Sequence, residues 1–215
     1  MADSAVDLDV IFKGVCFGFF NELLAALPHG PHAVGTLGTA RYVLPKLLRK
    51  RAPHRLQMAQ ADLQQAMQAL EVLEPSAAEL AMAAELEYEA QRQALPMHGG
   101  ECQLIAMLFA RNLRYLLTGD RSAINSMAEL VPPAGLDKAR LAGRFICFEQ
   151  SIRFLVISQG ACWVRAAVCA EREVDTALRV CFSCASPEVG EASWMEGLDS
   201  HIQSLRDTAG SLLVA

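Results

Sequence analysis

Residues 99–124 read GGECQLIAMLFARNLRYLLTGDRSAI, and the way this stretch divides decides the architecture. The MHGG segment after Pro96 is a loop delivering a helix that begins near Glu101, with Cys102, Ile105, Leu108 and Phe109 recurring on its inward face. Residues 114–118 then read as a short buried strand that Gly119-Asp120 ends. RSAINSMAEL starts a further helix, which Pro132 and Pro133 stop. Alternation of helix and strand on this scale predicts an α/β fold whose strands run parallel, with a cleft formed by the loops at their carboxyl ends. Glu101 then sits at a helix start and Asp120 at a strand end.

Working outward, residues 4–12 (SAVDLDVIF) predict a buried strand carrying Asp7 and Asp9 in its second half, on one face if the strand is regular. GVCFGFFNELLAAL has helical spacing up to Pro28, and HGPH (29–32) predicts a turn. Residues 33–44 are compatible with a short strand or with a strand followed by a helix. Two long helices come next. The first carries the stripe Leu56, Leu63, Met67, Leu70 and Leu73, and the second starts at a capping box of Ser76 with Glu79 and runs to about Gln93.

From residue 136 onward the apolar spacing is helical throughout, so residues 132–215 predict an all-helical C-terminal extension, with the twin prolines as the boundary of a first unit spanning 1–131. Trp163 and Trp194 within it point to buried core and to the possibility of self-association as a homodimer or a protein partner. With 215 residues, 53% of them hydrophobic, the chain can bury a substantial core. No apolar run approaches the roughly 18 residues of a spanning helix, and MADSAVDLD is acidic where a secretory signal is basic, which predicts a cytoplasmic protein without membrane contact. Seven cysteines lie among core-like residues and suit reduced thiols better than disulfides. Cys181 and Cys184 form the one close pair, but too few further ligands stand near for zinc.

The net charge is −5, yet its distribution is uneven. Residues 56–93 carry seven acids against Arg92, whereas Lys46, Arg49, Lys50, Arg51 and Arg55 crowd into ten positions just before them. Such a basic run is either a phosphate-contacting patch or a solvated helix face that neighbours the acidic helices. The acids at element ends also have two readings. Asp120 serves as an N-cap and Glu101 suits the positive end of a helix dipole, which is worth about 0.3–1 kcal/mol. Taken together, Asp7, Asp9, Glu101 and Asp120 are the kind of hard oxygen set that holds Mg²⁺ or Mn²⁺. Asp7 and Asp9 in particular require something positive between them, whether a metal, solvent or a lysine such as Lys13.

These segments resemble the PIN-domain ribonucleases. VDLDVIFKG is similar to that family's first strand, and GGECQLIAMLFARNLRYLLTGDRSAI to its second half, where an acid opens a helix and a strand ends in a Thr-x-Asp step. The resemblance covers about the first 130 residues. It implies a three-layer α/β/α fold with a short central parallel sheet and Mg²⁺- or Mn²⁺-dependent hydrolysis of RNA, in a toxin or defence setting where an antitoxin is a partner. By the same resemblance Asp7, Glu101 and Asp120 hold the ions, Asp9 supports them, and Ser122 and Asn125 orient the attacking water. Lys46, Arg49, Lys50, Arg51 and Arg55 are then placed for the backbone of single-stranded RNA. One departure stands out. Where the family carries a further acid, YVLPKLLRKR offers only bases, so either Glu71, Glu74 or Glu79 substitutes, or the site is attenuated, or the fold serves as an RNA-binding or protein-interaction module without cleavage.

Overall fold

The computed structural model describes residues 2–28 and 33–215. The predicted turn HGPH therefore lies outside the described residues. Five strands form one sheet: β1 (Ser4–Val6), β2 (Val34–Leu37), β3 (Glu71–Leu73), β4 (Tyr115–Thr118) and β5 (Phe145–Cys147). Their order is β3-β2-β1-β4-β5, and every pairing is parallel. The fold is thus α/β, a parallel sheet flanked by helices. Strands β1, β2, β4 and β5 are buried along their whole length, as expected of parallel strands covered on both faces.

Asp7 ends β1 by turning directly into α1 (Leu8–Phe17), so the predicted strand over 4–12 is shorter than expected. The cause is local: Asp7 has extended dihedrals and its carboxylate caps the amide of Leu8, while Val10, Ile11, Val15 and Cys16 form a buried helical face. Because this helix is buried around most of its circumference, its β-branched run imitates a strand. Asp9 consequently belongs to the first turn of α1 and does not share a strand face with Asp7. Gly18, left-handed at φ 75°, closes α1, and α2 (Phe20–Ala25) follows.

The ambiguous stretch after residue 33 resolves as β2 and then α3 (Ala40–Arg51), which is joined by a tight turn to α4 (Leu56–Ala69). The helical stripe predicted through Leu73 ends earlier, since residues 71–73 pair with β2 as an edge strand. The Ser76–Glu79 capping box opens α5 (Ala77–Arg92) as expected. Then come α6 (Gly99–Ala110), β4 and α7 (Arg121–Glu129), close to their predicted bounds.

Residues 132–215 are not an all-helical extension. They contribute β5 to the sheet, and Phe145 also bridges to Leu213 near the chain end. The helices α8 (Phe148–Gln159), α9 (Ala161–Ala170), α10 (Thr176–Cys181) and α11 (Glu191–Ala209) complete a core that is continuous with the first half of the chain. Arg121 at the start of α7 bonds both Glu149 of α8 and the carbonyl of His201 in α11, each at 3.1 Å. Pro132 and Pro133 therefore lie within one packed body. A three-residue strand has no readable period, which is why β5 escaped the pattern.

Contrary to the expectation of reduced thiols, Cys169 of α9 is bonded to Cys184 across a separation of 15 residues. Cys181 remains free and buried, so the close pair Cys181/Cys184 does not form. Within the closed loop, the buried Glu171 accepts from the backbone amides of His54 (2.9 Å) and Arg55 (2.6 Å), tying the C-terminal half to the α3–α4 turn. Closing a loop of this length restricts the unfolded chain by about 3 kcal/mol. Replacing both cysteines by serine is expected to lower unfolding free energy by about that amount in urea titrations, and the same loss should appear when the parent is titrated in a dithiol reductant. Equal stability of the parent with and without reductant would contradict the bond.

Candidate functional site

The chain leaves β1 toward β2 and β3 on one side, and returns to place β4 and β5 on the other. Loops leaving the carboxyl ends of β1 and β4 therefore diverge, and such a switch point opens a crevice. Asp7 follows β1 and Asp120 is two residues past β4. Glu101 lies in the first turn of α6, the helix that leads down into β4. The three sequence-predicted acids are thus delivered to the same edge of the sheet from three separate segments.

Each acid is anchored by at least one backbone amide. Asp7 Oδ1 accepts from the Leu8 amide at 2.7 Å, and its Oδ2 accepts from the Thr118 hydroxyl at 3.4 Å. Thr118 in turn accepts from the Asp120 amide at 3.1 Å, so the side chain of the Thr-x-Asp step joins the two strand ends. Asp120 Oδ1 takes the amides of Ser122 and Ala123 together with the Ser122 hydroxyl, at 2.8, 3.1 and 2.6 Å. Glu101 Oε2 accepts from the His98 amide at 2.7 Å. One oxygen of Asp120 and one of Glu101 take no backbone donor, and the two carboxyl groups lie near enough to influence each other's titration.

The electrostatics follow from this crowding. Burial, reinforced by the charges of Asp9 and Asp120, raises Asp7 to about 6. Burial again, with the Asp120 hydrogen bond and the charges of Asp120 and Asp7, raises Glu101 to about 7. Asp120 is displaced the other way. Burial is its largest single influence and pushes it up, but the Ser122 hydroxyl, the Glu101 carboxyl and the amides of Ala123 and Ser122 together hold it below its usual value. The opposite displacements mean that ionising Glu101 beside the charged Asp120 is disfavoured.

Asp9 is placed differently. Its Oδ2 pairs with Lys13 Nζ at 2.6 Å, and Lys13 also holds Asp175 at 2.8 Å while lying 5.0 Å above the Phe148 ring. Burial would depress Lys13, but Asp9 and Asp175 outweigh it and raise the amine above its usual range. This lysine neutralises Asp9 and Asp175, not Asp7. A Cβ built on Gly119 would collide with Asp9 Oδ2, so only glycine lets that carboxylate lie against the strand end. Asp175 and Gly119 are contributors that sequence reasoning missed. Asp175 lies far along the chain with no local signal, whereas Gly119, beside Asp120, was legible as a strand terminator only.

The other predicted residues divide. Ser122 is held on Asp120 and faces the cluster, but Asn125 accepts from Thr208 of α11 at 2.6 Å and is turned toward that helix. Lys46, Arg49, Lys50 and Arg51 are exposed along α3. Arg55 is directed inward, where its guanidinium contacts the carbonyls of Phe17 and Ala167 and lies 3.6 Å from Glu171. Of the acids considered as substitutes for the family's further carboxylate, Glu79 is committed to Arg111 at 2.7 and 2.8 Å, and those bonds lower it to about 2. Glu71 accepts from the Ala2 amide at 2.7 Å, and Glu74 lies beside Gly38 at the far edge of the sheet.

Hard oxygens anchored by amides, with charge that is not fully compensated, fit a divalent ion in kind. As placed, the acids approach pairwise: among the described residues no group of three or more His, Cys, Asp or Glu side chains is gathered closely enough to hold an ion. Among the same residues, no helix is long and apolar enough to cross a membrane. Comparison with protein-family models, curated proteins and solved structures gives no match.

Proposed function

We propose that this protein is a PIN-like ribonuclease that uses Mg²⁺ or Mn²⁺ to hydrolyse phosphodiester bonds of single-stranded RNA. The observation that carries the reading is the delivery of Asp7, Glu101 and Asp120 to one edge of a parallel sheet at its switch point, each oriented by a backbone amide. Asp7, Glu101 and Asp120 would hold the ion, which when bound supplies Lewis-acid polarisation of phosphate and a more acidic water. The chain's own groups orient that set. Thr118 links Asp7 to Asp120, and the Ser122 hydroxyl fixes Asp120 Oδ1. Lys13 and Gly119 hold Asp9 at the margin as a supporting charge. The exposed bases of α3 suit the phosphate backbone of the strand.

Incubating the protein with single-stranded RNA in Mn²⁺ is expected to give cleavage that EDTA abolishes. Intact RNA at protein excess would overturn the reading. The pairwise spacing of the acids and the pairing of Asp9 with Lys13 favour a second reading, an RNA-binding module of the same fold without cleavage. That reading requires RNA binding that EDTA leaves unchanged.

A further inference from the structure

Beside the acids lies a cavity of about 420 Å³, enclosed by α1, the α3–α4 turn and residues 171–174. Asp9 stands at the junction: its carboxylate pairs with Lys13 yet keeps 39% of its side chain exposed, and it lines this cavity. One wall is apolar, built from Phe12, Leu47 and Val174. The exposed Arg51, one turn beyond Leu47 on the same face of α3, and His54 also line it, and Glu173, paired with Arg179 at 3.3 Å, adds a second carboxylate. The shape is held from behind, since Glu171 fastens the His54–Arg55 backbone and the Cys169–Cys184 bond closes the segment bearing Glu171, Glu173 and Val174. A cavity held in this way takes a ligand with little ordering cost.

Its chemistry selects the ligand. A free phosphate would satisfy Arg51 and leave the apolar wall bare, while a hydrocarbon would strip water from Arg51, Asp9 and Glu173 without replacing it. A nucleoside phosphate meets both demands, with a flat apolar ring face, ring amines that donate to carboxylates, and a phosphate for a guanidinium. Lys46, Arg49 and Lys50 are likewise exposed on α3.

We propose that this cavity is a subsite for one nucleotide of a single-stranded nucleic acid, its base on Phe12, Leu47 and Val174 and its phosphate on Arg51, next to the acids that act on the neighbouring linkage. The assignment rests on the ribonuclease reading for the polymer that passes the acids, and the test separates the two by excluding divalent ions. In EDTA, the full chain is titrated by calorimetry with adenosine 5′-monophosphate, with a single-stranded tetranucleotide and with inorganic pyrophosphate. Arg51→Glu and Val174→Trp are each expected to weaken nucleotide binding at least tenfold, and because Arg51 is exposed, its variant keeps the fold. A tetranucleotide that binds more tightly than the monophosphate, with both variants weakened, assigns the site to a strand. Equal affinity of the two assigns it to a free nucleotide and overturns the strand subsite. Absence of nucleotide binding, equal affinity of both variants and the parent, or pyrophosphate binding as tightly as the nucleotide also overturns it. Retained nucleotide binding in a protein that leaves RNA intact in Mn²⁺ removes the ribonuclease reading alone.

Discussion

Asp120→Asn is expected to lower Mn²⁺-dependent RNA cleavage by more than about 100-fold, since loss of an outer-shell partner already costs about 10- to 100-fold at metal sites and Asp120 is proposed as a direct ligand. The substitution isolates charge from fold. Asparagine caps helices about as well as aspartate, so the amides of Ser122 and Ala123 keep an acceptor and α7 keeps its start. What disappears is the negative charge facing Glu101 and Asp7. Because Asp120 is among the causes that raise Glu101 to about 7, the variant should also bring Glu101 back toward its ordinary value, visible in carboxyl carbon shifts across a pH titration. Cleavage within threefold of the parent, in a variant of unchanged stability, would remove Asp120 from the site. An unmoved Glu101 titration would show that the two carboxyls do not interact.

Stability is expected to fall as pH rises from about 5 to about 8 without divalent ions, and Mn²⁺ should restore much of it at the upper end only. Asp7 goes from an ordinary 3.8 to about 6 on folding, and Glu101 from 4.5 to about 7. Both are raised acids, so the folded protein binds protons more tightly than the unfolded chain across this window. The penalty is absent below about 4, where both states are protonated, and complete above about 7, where both are ionised. At about 1.4 kcal/mol per pK unit the Asp7 shift corresponds to about 3 kcal/mol. Glu101 adds less than an equal share, because the repulsion between the two is counted in each. Glu79 acts outside this window, since its lowered value stabilises the fold above about 4.5 and is lost only as pH falls toward 2. A bound divalent ion offsets the repulsion at pH 8, while at pH 5 protons compete for the same oxygens. Urea unfolding at the two pH values, with and without MnCl₂, measures both effects. Stability that is flat or rises from pH 5 to pH 8 would mean that the carboxyls are not crowded, and an equal Mn²⁺ effect at both values would place the ion elsewhere.

Local physics made part of this legible without coordinates. Helix capping reaches three residues, so Glu101, Asp120 and the Ser76–Glu79 box announce themselves in the chain, and β4 between them is a buried run bounded by Gly119. Asp7 was recognisable as an acid at a strand end. That the strand stops there was not, because a helix buried around most of its circumference carries the same apolar run as a strand. The three-residue strands β3 and β5 are shorter than any period that could reveal them. They exist because parallel neighbours supply their hydrogen bonds.

The sequence by itself determined the succession of α6, β4 and α7 and the acids that cap these elements, since each depends on neighbours within a turn or two. Only the tertiary structure decided what those acids meet. The pairing of Lys13 with Asp175, the bond from Cys169 to Cys184, the grip of Glu171 on the α3–α4 turn and the cavity beside Asp9 all join elements from different parts of the chain. Such contacts follow from how a continuous core brings the C-terminal helices back onto the first half of the sheet, and packing of that kind leaves no periodic trace in the order of residues.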